Sequence, residues 1–186
     1  MALRPAARRF TVGDYLRLEL AGLLTEDDRV ELIEGELIDM APIGSLHAGI
    51  VTRLTRYLSG VPAKFALVSV QNPVHLDDMS EPQPDLMLLR SRADSYTRLH
   101  PRPADVLLLI EVADSSLDYD RTVKALLYAR FAIPELWIVE IPNEVVQVFL
   151  GPTPDGYSHV QEWRAGSVVS PHTFPGSRLE VAGLFA

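Results

Sequence analysis

Cysteine is absent from this sequence of 186 residues, which excludes disulfide bonds and metal sites built from thiolates. No uninterrupted apolar stretch approaches the roughly 20 residues that a membrane-spanning helix needs. The N-terminal residues 1–10 are basic but lack the apolar run of a signal peptide. We therefore expect a soluble, cytoplasmic protein. The length suits a single domain over residues 1–186, with a core at about 12–149 and a β-rich tail at 150–186.

Positive charge is also scarce, and the formal net charge is −8. This balance argues mildly against a high-affinity, nonspecific nucleic-acid binder, whose binding surface is usually basic. A local basic patch can still exist, or the arginines can be scattered, solvated charges, which is the more common case. The candidates for a patch are Arg4, Arg8, Arg9, Arg53 and Arg56. Only two of the 17 basic residues are lysines, Lys64 and Lys124, and a lysine at a functional position therefore merits attention.

The spacing of apolar residues predicts an α/β sheet sandwich. Helices are expected over residues 11–20, 45–59 and 118–131. Strands are expected over residues 30–40 (a hairpin that turns at Glu34-Gly35), 65–70, 86–89, 106–112, 136–139, 145–149 and 157–163. Residues 73–76 are expected to continue or pair with the strand at 65–70. The predicted core stripe of the third helix consists of Val123, Leu126, Leu127 and Phe131.

Two acids and one lysine stand at positions suited to metal-assisted chemistry. Asp85 follows Pro84 at the head of an apolar strand, and Glu111 lies near the end of another. Mg²⁺ is usually bound by one or two carboxylates, and it can polarise a phosphodiester and lower the pKa of a water molecule. Lys124, on the following helix, can orient that water or stabilise transition-state charge. Structural explanations also exist: turn chemistry at Asp85, a strand end at Glu111, and a helix pair between Asp120 and Lys124.

A set of motifs between about Val12 and Phe149 allows comparison with known families. The longest is EVADSSLDYDRTVKALLYARFAIPELWIVE. The shorter motifs that precede it are Glu31-Leu32-Ile33-Glu34-Gly35-Glu36, Pro42, His47 and Pro84-Asp85. Within the long segment, the matching residues are Glu111-Val112, Ser115-Ser116, Asp120, Lys124, Tyr128 and Pro134-Glu135-Leu136-Trp137. Together these motifs resemble the Uma-type restriction endonuclease family, within the PD-(D/E)xK nuclease superfamily.

The resemblance implies a restriction-endonuclease-like fold, with a mixed central β-sheet flanked by helices. It implies a DNA endonuclease that uses Mg²⁺, or alternatively Mn²⁺, with Asp85 and Glu111 as catalytic metal ligands. In the wider superfamily the lysine stands two residues after the second acid, which is Ala113 here. The resemblance implies that this lysine has moved to the helix, as Lys124.

Two further residues follow from the same resemblance. Glu31 or Glu34 would add an acid from the N-terminal hairpin, and we prefer Glu31 because the acid of the family precedes the apolar pair. His47 would line the cleft, although a histidine near a helix start is more often a cap or a core partner.

Assembly and activity leave alternatives open. A homodimer is expected, because cutting both strands of a duplex suits two-fold symmetry. Trp163 and Phe174, in the tail, either pack on the core or form the dimer contact. The main alternative to an enzyme is an inactive nuclease fold that binds nucleic acid or protein. A purely structural domain is the third possibility, and it predicts that the carboxylates of Asp85 and Glu111 lie far apart.

Overall fold

A six-stranded mixed β-sheet forms the centre of the protein. The computed structural model describes residues 8–25 and 28–186. The strands are β1 (Val30–Ile33), β2 (Glu36–Asp39), β3 (Ala66–Val70), β4 (Leu86–Arg90), β5 (Val106–Ala113), β6 (Glu135–Glu140), β7 (Val145–Thr153), β8 (Gly156–Trp163), β9 (Val168–Val169) and β10 (Leu179–Glu180). The helices are α1 (Val12–Leu20), α2 (Ser45–Leu58), α3 (Leu117–Tyr119), α4 (Ala125–Arg130) and α5 (Ala182–Phe185), with a 3₁₀ turn at Pro103–Asp105 and a π-helical turn at Asp120–Lys124.

The order of strands in the sheet is β3-β4-β5-β6-β7-β8. Only β5 and β6 pair in parallel among these neighbours, and the connection between them carries α3, the π-helical turn and α4 as one helical stretch at 117–130. Every residue of β5 is buried, as expected for a central strand covered on both faces. The predicted mixed α/β architecture is therefore confirmed.

Each face of the sheet supports its own hydrophobic cluster, because side chains alternate along the strands. On one face α2 packs through Ile50 and Leu54 against even-numbered residues of β4 and β5. The second face of the sheet is covered by the 117–130 stretch and by Ile33 of the hairpin. Met87 and Leu109 point to this second face, whereas Leu107, at the irregularity in the pairing of β4 with β5, joins the cluster under α2.

The N-terminal hairpin forms where the sequence predicts it. Glu34 and Gly35 have φ values of 48° and 81°, as a two-residue turn with both central residues left-handed requires. The Gly35 N–H donates to the Met79 carbonyl oxygen at 2.7 Å, which joins the turn to the segment before β4. A side chain at this position would meet Arg9 and Met79, so only glycine fits.

One local prediction is wrong and another is confirmed only in part. Residues 73–76 do not join the sheet, because their N–H groups bond elsewhere: Val74 donates to Pro82 and Leu76 to Ser80. The predicted core stripe of the third helix is confirmed in part, since Leu127 is buried and Val123 and Phe131 pack against the core, whereas Leu126 does not belong to it. The π-helical turn changes the angular spacing of side chains, and the stripe that it buries contains Asp120, Lys124 and Tyr128.

The β-rich tail is continuous with the core. Strand β7 runs across residues 149 and 150, and β8 completes the central sheet. Trp163 and Phe174 both pack against the hydrophobic cluster beneath α2. Within the described part of the chain, no helix combines the length and apolar character needed to cross a membrane.

Candidate active site

Asp85 and Glu111 project from adjacent strands at the same end of the sheet. Strands β4 and β5 pair with Leu86 opposite Ile110, and extending that register by one residue sets Asp85 opposite Glu111. Side chains of directly opposed residues start from Cβ atoms about 4.5–5.5 Å apart. Asp85 Oδ2 also accepts a hydrogen bond at 2.9 Å from the N–H of Val112, the residue after Glu111. The fold therefore brings the two predicted acids together.

Lys124 reaches the same place from the helix. Its Nζ lies 2.9 Å from Glu31 Oε1, 3.2 Å from Glu111 Oε1 and 4.0 Å from Asp120 Oδ1. The residue is only 5% exposed. The contact with Asp120, four residues earlier in the helix, is the longest of the three. Lys124 is thus a buried cation held mainly by acids of β1 and β5.

Three further side chains fix the orientation of the acids. Tyr128 donates its hydroxyl to Glu111 Oε1 at 2.7 Å, and Ser116 donates to Asp120 Oδ2 at 2.6 Å. Gln71, just after β3, donates to Asp85 Oδ1 at 3.3 Å. Such hydrogen bonds restrict the rotamers of carboxylates that would otherwise rotate between several positions.

His47 lies at the start of α2, on the opposite wall from the 117–130 stretch. Its Nε2 is 3.2 Å from Asp85 Oδ2, and this hydrogen bond raises the pKa of the His47 imidazole against the effect of burial. The residue at the N-cap of α2 is Gly44, which offers no side chain to the N–H groups of the first turn.

Burial dominates the electrostatics of the acid cluster. It raises the pKa of Glu111 to about 8, and the partial offset from the Lys124 ammonium is not enough to restore the ordinary value. It also raises the pKa of Asp120. Burial alone would lower the pKa of Lys124, but the carboxylates of Glu111 and Glu31 outweigh it and raise that pKa. Lys124 therefore stays protonated while Glu111 resists ionisation.

The acids open into a cleft of about 300 Å³. One wall is the segment 38–44 together with His47, and the other is the segment 112–120. Glu31, Asp85, Glu111 and Lys124 form its floor. A buried charged floor that remains connected to solvent is the arrangement expected for a site that binds a charged ligand.

The sequence matches the profile of the Uma2 family, described as "Putative restriction endonuclease", over residues 12–182. The chain belongs to the Uma2 family. The match extends beyond Phe149, the limit expected from the motifs, into the tail. The protein also resembles a crystal structure from Anabaena variabilis ATCC 29413, described as "a putative nuclease belonging to DUF820". The TM-score is 0.74 at 16% identity, over 95% of this chain and 97% of that one. Comparison with curated proteins gave no match.

Family membership supports assigning this Uma2 chain as a nuclease, and restriction-endonuclease-like families generally use divalent metal ions. The candidate site gathers all five residues selected from the sequence. They are Asp85, Glu111, Lys124, Glu31 and His47. Glu34 lies elsewhere, half exposed on the hairpin turn, where it pairs with Arg130 at 3.0 Å.

Of the arginines proposed for a basic patch, the four that the structure describes, Arg8, Arg9, Arg53 and Arg56, do not line the cleft. Arg53 donates to the Leu184 carbonyl oxygen at 2.8 Å, and Arg9 donates to the hairpin turn. Arg4 lies outside the described residues. Within the described ranges, Arg29 is the arginine that lines the cleft, and it was not among the arginines proposed for the patch.

Other site residues were seen in the sequence without a role, or were missed. Asp120 and Tyr128 share a helical stripe with Lys124, and that stripe was the available signal. Gln71 had no signal, because an uncharged side chain after a strand is unremarkable. Gln83 also had no signal, because it acts through its backbone N–H, which donates to Glu31 Oε2 at 3.2 Å. Any residue except proline would supply that N–H.

The donor set of this Uma2 site fits a hard divalent cation. Its acids are Glu31, Asp85, Glu111 and Asp120, all oxygen donors, with Lys124 as the buried ammonium that faces them. Within the described residues, no group of three or more His, Cys, Asp or Glu side chains is arranged to hold a metal. Mg²⁺ needs fewer protein ligands, because it is usually bound by one or two carboxylates and keeps several waters.

Proposed function

We propose that this protein is a Mg²⁺-dependent endonuclease that hydrolyses DNA phosphodiester bonds. The observation that carries the proposal is the pairing of Asp85 and Glu111 on adjacent strands, at the floor of an open cleft, beside the buried ammonium of Lys124. Two carboxylates and one ammonium at the end of a rigid sheet are what metal-assisted phosphoryl transfer requires from a protein.

Asp85 and Glu111 would hold the ion through their carboxylate oxygens. When bound, the ion would polarise the phosphodiester and lower the pKa of the attacking water. Asp85 is prepared for this role because the Val112 N–H, the Gln71 amide and the His47 imidazole fix its carboxylate. A ligand fixed in advance loses little conformational entropy on binding.

Lys124 would stabilise negative charge that develops on the phosphoryl group, since its ammonium already lines the cleft. Glu31 and Glu111 hold the ammonium in place at 2.9 Å and 3.2 Å. Glu31 would thus contribute mainly by orienting Lys124. The same ammonium lowers the electrostatic repulsion between Glu31 and Glu111.

DNA would approach along the wall formed by the start of α2. The first-turn N–H groups of that helix lack a side-chain cap at Gly44, and such groups can bind a phosphate oxygen. Arg29 adds a positive charge to the lining of the cleft. A homodimer in the cytoplasm would allow both strands to be cut, and sedimentation of the purified protein would test the dimer.

The direct test is cleavage of supercoiled plasmid DNA in Mg²⁺, with EDTA as the metal-free reference. The wild type should nick or linearise the plasmid, whereas Asp85→Asn and Glu111→Gln should lose about 100-fold or more in rate. Glu34→Gln is the matched control, because it removes an exposed carboxylate on the turn of the N-terminal hairpin, outside the cleft. Equal cleavage by Asp85→Asn and the wild type would refute the assignment.

A non-catalytic binding module is the alternative function. It is favoured by the net charge of −8 and by the pairing of Lys124 with acids of the protein itself. It predicts DNA or protein binding without Mg²⁺ binding. Titration calorimetry with Mg²⁺, followed by a DNA gel-shift assay in EDTA, separates the two functions.

A further inference from the structure

The Tyr128 side chain is buried completely, yet it contacts the acid cluster directly. Its exposure is 0%, and its hydroxyl donates to Glu111 Oε1 at 2.7 Å. The residue does not line the cleft, so it cannot touch a substrate there. Any influence on the chemistry must therefore pass through Glu111.

Both hydrogen-bond donors to Glu111 converge on the same oxygen. Lys124 Nζ lies 3.2 Å from Oε1, and the Tyr128 hydroxyl bonds to that atom as well. Among the described residues, no group donates a hydrogen bond to the other oxygen, Oε2. Because Glu111 lines the cleft, Oε2 is the oxygen left free for a ligand there.

Lys124 alone cannot fix this orientation. Its ammonium is shared with Glu31 and Asp120, and the shorter of its two closest contacts is to Glu31 at 2.9 Å. The final torsion of a glutamate has a broad, shallow preference, so one shared donor leaves the carboxylate free to turn. The Tyr128 hydroxyl supplies the second, unshared donor. Burial raises the pKa of this phenol well above its ordinary value, so it remains a donor at any assay pH.

We propose that Tyr128 is a positioning residue that holds Glu111 by Oε1 and so presents Oε2 to a divalent cation in the cleft. The inference rests on the proposed function, since it assumes that Glu111 binds the cation. Partners that orient a metal ligand typically change metal affinity by about 10–100-fold when they are removed. A loss of this size is expected from the single hydroxyl of Tyr128.

Tyr128→Phe removes the hydroxyl and keeps the ring that fills the core. Tyr157→Phe is the matched control, because its hydroxyl donates at 2.9 Å to the Ile133 carbonyl oxygen, just after the same helical stretch and away from the acids. Both variants lose one phenolic hydrogen bond. The measurement is calorimetric titration with Mn²⁺, which needs no DNA and no turnover.

We expect Tyr128→Phe to bind Mn²⁺ about 10–100-fold more weakly than the wild type, with Tyr157→Phe unchanged. Equal affinity for Tyr128→Phe and the wild type would overturn the inference and leave the proposed function intact. Equal weakening in both variants would also overturn it, because a general loosening of the helix would then explain the loss. Absence of Mn²⁺ binding by the wild type would overturn the proposed function, and the role of Tyr128 with it.

A double-mutant cycle checks that the effect passes through Glu111. Urea unfolding midpoints are measured without metal for Tyr128→Phe, Glu111→Leu and the double variant, because leucine removes the acceptor oxygen that glutamine would keep. If the hydroxyl acts on Glu111, the two shifts in midpoint will not add. Additive shifts would show that Tyr128 acts on something else and would overturn the inference.

Discussion

Glu111→Gln is expected to stabilise the cation-free protein at alkaline pH. Burial raises the pKa of Glu111 from 4.5 to about 8, with further repulsion from Asp120 and Asp85 and partial relief from Lys124. At about 1.4 kcal/mol per pH unit, ionising this buried acid costs at most about 5 kcal/mol of folding free energy. Glutamine keeps the size of the side chain and cannot ionise, so the variant avoids that cost.

The direction of the pH effect follows from the order of the two pKa values. The folded-state pKa of Glu111 lies above the unfolded value near 4.5. The protonated carboxyl therefore contributes stability that is complete below about pH 4.5 and is lost as the pH rises through about 8. Wild-type stability should fall across this window relative to that of Glu111→Gln. Asp120 and His47 titrate in both proteins, so the difference between the proteins reports Glu111 together with its interactions with neighbouring acids.

The assay is urea unfolding followed by circular dichroism in EDTA, at several pH values from 5 to 9. The free-energy difference between Glu111→Gln and the wild type should grow with pH by about 2–5 kcal/mol. Glu34→Gln, which changes an exposed acid, should follow the wild type at every pH. Parallel curves for Glu111→Gln and the wild type would refute the reasoning, because they would mean that Glu111 ionises at an ordinary pKa.

Three further predictions concern stability and binding. Lys124→Met should lower the free energy of unfolding, measured with urea at pH 8, by about 3–5 kcal/mol, because it leaves buried acids without their ammonium. A free energy of unfolding equal to that of the wild type would contradict this. Gly35→Ala should lose more than about 1 kcal/mol by the same assay, since its φ is 81° and its Cβ would meet Arg9; an unchanged midpoint would contradict it. Asp85→Asn should abolish the rise in melting temperature that Mg²⁺ gives the wild type, as scanning calorimetry can show.

Most of the fold could be predicted because its elements follow simple periodicities. The continuous apolar run of β5 indicates a central strand. The four-residue spacing of Ile50, Leu54 and Leu58 indicates the buried face of α2. The stretch 73–76 contains two apolar residues, Val74 and Leu76, but it bonds locally to residues 80–82 and does not join the sheet. The single domain, the homodimer and the cytoplasmic location stay predictions.

The site was predictable to different degrees. Asp85 and Glu111 interrupt apolar strands, which is visible without any relative. Glu31 was selected through resemblance. Lys124 was noticed from its position on the helix, but its role rested mainly on resemblance, because a helix pair with Asp120 explained it nearly as well. The local pair with Asp120 exists, but at 4.0 Å it is longer than the contacts with Glu31 and Glu111, which are remote in sequence. Contacts of that kind are set by the tertiary fold, which residue spacing does not encode.

The π-helical turn explains how a lysine on a helix can serve a site at the end of a sheet. The turn places Asp120 and Lys124 on the buried side of the helical stretch, where Lys124 meets acids from β1 and β5. Ionisation of all the acids would leave an excess of negative charge, because Glu31, Glu111 and Asp120 face this one ammonium. Stability alone gives no reason for the excess, since a neutral side chain at residue 111 would avoid the cost of ionisation. A cation in the cleft does give one, because it would balance the charge that the fold leaves uncompensated.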